Sequence, residues 1–361
     1  MSRTWRNGGG RRGGGVAGRD GSSDPQDSRG TVSDWPGCGG KPLATSKGKE
    51  RRVPSPVVLG FDISGTRIAV AATDTGGVRL GSDIVPTHTE RSPASCLARA
   101  VGATRVLLER VAPGRATIGV GVSMLGVPGD RGGMLSPTDQ GWSGSAVGRE
   151  LTSAFGGARV RVATDVMAAA RVEAEYGSLA GADPAIYLNL GTGLAVAIVV
   201  GGEVIIGRNN TAGGIGHNLR HIADVGQPAD DRILLEEVVS GEALLKHALT
   251  VVPGLDSAPH VLTDAARNPQ LAVLLEEFTA ELAFHLTNLA IAVDPERIAV
   301  GGSMARAWDV LYPPLNRALV AAVPHPPDLV PADFPLNTPF LGALALGQAA
   351  ARDALADAAH A

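Results

Sequence analysis

The stretch 58-VLGFDISGTRIAVAATD-74 decides how this chain is read. Two apolar runs, 57–61 and 67–73, flank Asp-Ile-Ser-Gly-Thr, a pattern that predicts a β-hairpin with polar residues at its tip. Gly65 has no side chain to keep an anion away from the backbone N–H groups. The hydroxyls of Thr66 and Ser64 can donate to phosphate oxygens. Asp62 would repel a phosphate unless Mg²⁺ or its water shell lay between them. The tip therefore suggests a metal–phosphate site, although Asp-x-Gly-Thr is also an ordinary hairpin turn.

The same device recurs downstream. Strands are expected at 185–190 and 194–200, joined by Gly191-Thr192-Gly193, which has the same chemistry without the acid. Between the hairpins the pattern predicts a third strand at 84–86, a helix over 93–111, a buried strand at 117–124, a helix over 146–155, a strand at 160–163 and a helix over 166–176. Residues 127–142, full of turn formers, read as a loop. After the second hairpin come a strand at 203–206, helices over 232–249 and 271–293, a strand at 297–300, a helix reaching 319 and a last apolar helix over 342–354. Each half thus opens on a strand–turn–strand and continues with helix-covered strands. This predicts an α/β protein of two lobes, each a mixed sheet flanked by helices, with a cleft between them where small molecules bind.

Composition narrows the class. The 361 residues are 44% hydrophobic, enough for one large or two moderate domains. A net charge of −4 gives no basic surface for nucleic acid. Two cysteines, Cys38 and Cys96, cannot build a disulfide framework or a Cys-based zinc site and suit a cytoplasmic setting. No run of about 18 apolar residues suggests a membrane span, and the start lacks the apolar middle of a signal peptide. Residues 1–55, rich in Gly, Arg and Ser, bury too little apolar surface to offset ordering and are expected to be a disordered tail. The expected lobes are 56–182 and 183–361, the last helix packing back on the first.

With these pieces in place, the chain from 57 to about 350 resembles the ROK family of bacterial sugar kinases and related repressors. 62-DISGT-66 is similar to the family's first phosphate loop, and 126-GVPG-129 with 135-LSPTDQGW-142 to its sugar-side loop. Asp165 in 162-VATDVMAAA-170 matches the catalytic aspartate. 190-LGTG-193 resembles the second phosphate loop, followed by 212-AGGIGH-217, 235-LEEVVSG-241 and the adenosine-side turn 294-DPERIAVGGSMA-305. The resemblance implies the actin-like ATPase (ribonuclease H-like) fold and an ATP- and Mg²⁺-dependent hexose kinase, often oligomeric. It makes Asp165 the base that takes the sugar hydroxyl's proton as the bond to phosphorus forms. Asp165 also suits the N-cap of its helix, and the two roles can coexist. By the same resemblance Asp62 holds Mg²⁺ through water, Gly301 and Gly302 let adenine approach, and Asp139, Thr164, His217 and Glu236 face the sugar. Asp139 also suits a plain turn, and Glu236 a solvated helix position.

Three departures follow. The family's cysteine cluster after the histidine is absent from 218–237, so no zinc of that type is expected, and His217 with His221 lacks a completing carboxylate. Gly214 stands in place of a sugar-binding glutamate, and Thr164 in place of an asparagine. Each lost hydrogen bond would cost about 1.5–3 kcal/mol. The phosphate loops and Asp165 are untouched, so altered sugar recognition is expected; the alternative is a weakened sugar-binding or regulatory relative. A DNA-binding version would need an N-terminal helix-turn-helix, for which residues 1–53 show no periodicity.

Overall fold

The computed structural model describes residues 55–87, 92–126, 144–334 and 338–360. The expected tail and the sugar-side loop residues 127–143, Asp139 among them, lie outside the described residues.

The first sheet comprises β1 (Val57–Ile63), β2 (Arg67–Asp74), β3 (Arg79–Pro86), β4 (Thr117–Met124) and β5 (Arg159–Thr164), in the order β3-β2-β1-β4-β5. Strands β1 and β2 form the antiparallel hairpin, in register from Val57↔Asp74 to Ile63↔Ile68, while β4 runs parallel to β1. The second sheet, from β6 (Ala185–Leu190), β7 (Leu194–Val200), β8 (Glu203–Val204), β9 (Arg297–Gly301) and β10 (Asp328–Pro331), has the order β10-β9-β6-β7-β8. It repeats the plan: β6 is antiparallel to β7 and parallel to β9. Both halves are therefore one topology used twice, the two-lobed actin-like ATPase fold.

The helices are α1 (Pro93–Val111), α2 (Gly144–Ala154), α3 (Asp165–Tyr176), α4 (Gly241–Val251), α5 (Ala258–Asp264), α6 (Pro269–Val293), α7 (Trp308–Ala322) and α8 (Thr338–His360). The helix expected over 232–249 is instead a 3-10 turn, Leu235–Glu237, followed by α4, because the Ser240 hydroxyl accepts from Ala243 N and starts a new helix there. Strand β3 begins five residues earlier than expected, its polar residues lying at an edge paired only to β2. The pattern missed α5, which is seven residues long, and the four-residue β10.

One core fills the first lobe around Leu59, Phe61, Val120 and Leu151, and another the second around Ile186, Leu188, Leu282 and Leu311. A third joins them: Ala168 and Ala170 of α3 and Leu346 of α8 pack with Tyr187, Ala197 and Ala299 of the second sheet. Helix α8 lies directly on β1 and β4, and glycines make this possible. A Cβ on Gly60 would sit 2.8 Å from Leu344 N, and one on Gly347 2.5 Å from the Leu59 carbonyl. Such backbone-to-backbone approach leaves no room for a methyl group.

Candidate active site

Asp62 ends β1 opposite Ser123 of β4, and Asp165 opens α3 directly after β5. Both keep some solvent-facing surface, but their carboxyl groups are enclosed by protein. Burial raises the Asp62 pKa to about 6, reinforced by the charge of Asp165, against the favourable effects of the Ser123 hydroxyl and Arg67. Burial likewise raises Asp165 to about 6, with Glu236 adding repulsion and the Val166 N–H, 3.0 Å from Oδ1, opposing it.

Glu236 extends this chain of carboxylates to the second hairpin. Its Oε2 accepts from Leu194 N at 2.8 Å, fixing the turn after Gly193. A Cβ on Gly193 would lie 2.6 Å from the same oxygen, so only glycine lets the carboxylate in. The 3-10 turn Ile215–His217 packs against Leu235–Glu237, bringing His217 to the same region, and Arg232 holds the His217 carbonyl at 2.7 Å. The charge of Asp165 thus acts on Asp62 and that of Glu236 on Asp165, while Glu236 itself is bonded to the second hairpin beside Gly193.

The remaining predicted residues fall differently. Thr66 and Thr192 are exposed at the two hairpin tips, Gly65 is partly buried, and the Gly65 carbonyl accepts from Thr87 Oγ1 at 2.7 Å. Ser64 donates its hydroxyl to the Arg67 carbonyl at 3.0 Å, so that proton closes the turn rather than reaching toward a phosphate. The N-cap of α3 is Thr164, whose Oγ1 accepts from Met167 N at 3.1 Å, and not Asp165, which occupies the first helical position. The cap occupies an acceptor site of the hydroxyl assigned above to the sugar. The side-chain faces of Gly301 and Gly302 turn inward: a Cβ on the first would overlap Tyr187, and one on the second, at φ +86°, would lie 2.9 Å from Gly191 N and overlap Leu190. Packing by itself requires glycine at both, Gly301 against Tyr187 of β6 and Gly302 against the second turn. Gly214 is exposed, with only the Thr211 carbonyl, 3.3 Å away, near a would-be Cβ. The sequence pattern did not single out Ser123 or Tyr187, whose buried hydroxyls flank the acids; each sits within an apolar strand and reads as core.

Among the described residues neither aspartate is ion-paired to Arg or Lys, and no cluster of three or more His, Cys, Asp or Glu could hold a metal alone. Two enclosed, mutually repelling carboxylates nevertheless fit Mg²⁺, which takes one or two carboxylates and completes its shell with water and phosphate oxygens. No described helix is long and apolar enough to cross a membrane.

The ROK family model matches residues 58–350. Kanosamine kinase from Amycolatopsis mediterranei (strain S699) is 29% identical over 272 residues, covering 74% of this chain and 88% of that enzyme. The ROK hexokinase from Thermus thermophilus superposes with a TM-score of 0.68 at 25% identity, over 82% of this chain and 99% of that one. A ROK-family transcriptional regulator, a homologue of the E. coli MLC protein, gives 0.69 at 22% identity, over 83% and 79%. With the match spanning both sheets, both hairpin turns and the aspartates between them, this chain belongs to the ROK family.

Proposed function

We propose that the protein is a sugar kinase that moves the γ-phosphoryl group of ATP to a hydroxyl of a hexose or hexose derivative. The observation that supports this reading is the pair of buried aspartates at the strand ends, the Asp165 charge acting on Asp62 and that of Glu236, bonded to the second hairpin, on Asp165. Asp165, anchored at the start of α3, orients the hydroxyl and accepts its proton as the new P–O bond forms and ADP departs. A base that titrates near 6 is ionised at neutral pH yet still basic enough for that proton. The amides and hydroxyls at Gly65, Thr66, Gly191, Thr192 and Gly193 bind phosphate oxygens. Asp62 would hold Mg²⁺ through water, and the ion would supply charge neutralisation on the phosphates. His217 and Glu236 orient the sugar, and the second bond of Glu236, to Leu194 N, ties that orientation to the phosphate turn. We place the reaction in the cytoplasm, in a homo-oligomer, by family analogy.

Sugar recognition differs from that of a standard glucokinase, because Gly214 supplies no carboxylate and Thr164 spends an acceptor site on capping α3. An amino or otherwise substituted hexose suits the freed space at Gly214; the kanosamine kinase relative supports this class. The test is ADP release with ATP·Mg²⁺ against hexoses, amino sugars including kanosamine, and polyols. Turnover with at least one, abolished in Asp165→Asn, is the expected result. Saturable sugar binding without ADP release from any would replace the kinase by a sensor.

A further inference from the structure

Glu173 is fully buried on α3, two turns beyond Asp165, and no part of the proposed mechanism uses it. Its Oε2 accepts from Ser178 N at 2.9 Å, Ser178 Oγ at 3.0 Å and Asp333 N at 3.2 Å, and its Oε1 from Phe334 N at 2.8 Å. Oε2 thus accepts three of the four bonds and Oε1 one, and both oxygens are engaged. None of the donors is a cation, and no Lys or Arg pairs with Glu173 among the described residues. The donors come from two places of special topology. Ser178 lies where the chain leaves α3 for the second sheet at β6, and Asp333 and Phe334 where it leaves β10 for α8, which rests on the first sheet. The backbone adds to the joint, since the Glu173 carbonyl accepts from Gly177 N and Leu179 N. Gly177 is pressed so closely on the carboxylate that a Cβ there would overlap it.

We propose that Glu173 is the shared joint of the two interlobe connections, about which both turn when the lobes move, and through α3 a positioning residue for Asp165. A buried carboxylate that loses donors without a cation to compensate is strongly destabilised, so neither connection shifts without dragging the other. The inference rests on the kinase reading only for the ligands that move the lobes.

Glu173→Gln tests it in the full chain. Whichever way the amide turns, its NH₂ group replaces an accepting oxygen and faces either the Phe334 N–H or the three donors on Oε2. Hydrogen exchange at 174–184 and at 332–334 is expected to quicken at both by about tenfold, with β6 and β7 unchanged. With a non-hydrolysable ATP analogue plus Mg²⁺ and each hexose and amino sugar of the ADP-release panel, kanosamine included, the wild type is expected to gain protection at both segments together with at least one sugar, and the variant to lose that coupling. For the active enzyme, kcat falls about tenfold while sugar KM stays within about twofold, the split expected when only the base is misplaced. Exchange that rises in one segment alone, or in neither, overturns the proposal. Should Glu173→Gln not fold, Ser178→Ala removes one donor; quickened exchange at 332–334 supports the joint, and a change confined to 174–184 overturns it. Absent ligand protection in the wild type would count against the kinase reading and leave the exchange comparison decisive.

Discussion

Glycine to alanine in the middle of a helix normally stabilises by about 0.5–1 kcal/mol, because alanine has less freedom to lose. Two mid-helix glycines here should respond with opposite signs. Gly102 on α1 is exposed, and nothing lies within 4 Å of a Cβ there, so Gly102→Ala keeps the full gain. On Gly347 of α8 the same methyl would meet the Leu59 carbonyl at 2.5 Å, Val58 Cγ1 at 2.9 Å and Gly121 N at 3.0 Å. Two of these three are main-chain atoms of the central strands β1 and β4, so α8 must retreat by about 0.5–1 Å, and such overpacking costs typically 1–3 kcal/mol. With rigid backbone on the far side the upper end applies; less the propensity gain, Gly347→Ala should lose about 2 kcal/mol. For a body of this size each kcal/mol moves Tm by about 2–4 °C, so thermal unfolding should show a fall of about 4–8 °C for Gly347→Ala against a rise of about 1–4 °C for Gly102→Ala. Equal Tm values for the two variants would refute the reading of α8 as a helix seated backbone-to-backbone on the sheet.

Activity should fall as pH drops through about 6, since Asp165 must be ionised to take the proton; an unchanged kcat at pH 5 would count against it as base. Stability of the metal-free protein should move the opposite way. Asp62 and Asp165 hold their protons more tightly folded than unfolded, so their contribution is full below about pH 4 and lost as pH rises to about 6. Each shift of about 2 units corresponds to at most ~3 kcal/mol. Added Mg²⁺ should recover part of this in thermal unfolding at pH 7, and Asp62→Asn should abolish the recovery. Thr164→Val removes the α3 cap and should cost about 1 kcal/mol in denaturant unfolding, whereas a solely sugar-facing threonine would leave stability unchanged. Gly214→Glu has room, and if this surface meets the sugar it should change KM for at least one hexose about tenfold at unchanged Tm.

Much of the fold was legible along the chain because its signals are local. The two hairpins announce themselves by apolar runs of strand length broken at Ser-Gly-Thr and Gly-Thr-Gly, and α1 and α3 by the helical spacing of their apolar residues. The extra break at Ser240 was masked by helix-compatible residues on both sides, and β10 is too short to show a period. The candidate base was found through its motif, but which residue caps the helix was not, since Thr164 and Asp165 are adjacent and equally able.

Sequence alone established that two halves share one plan and that acids, glycines and hydroxyls sit at the strand ends. Only the tertiary structure decided which of these groups meet. Glu236 lies 42 positions from Leu194, and Glu173 160 from Asp333, separations across which no periodicity reaches. Nor did composition reveal that Ser64 turns its proton inward, that Gly301 and Gly302 are glycines for packing, or that one buried glutamate holds both crossings between the lobes. Hydrophobic spacing fixes which face of an element is buried; partners within hydrogen-bond reach are set by how faces from distant segments stack.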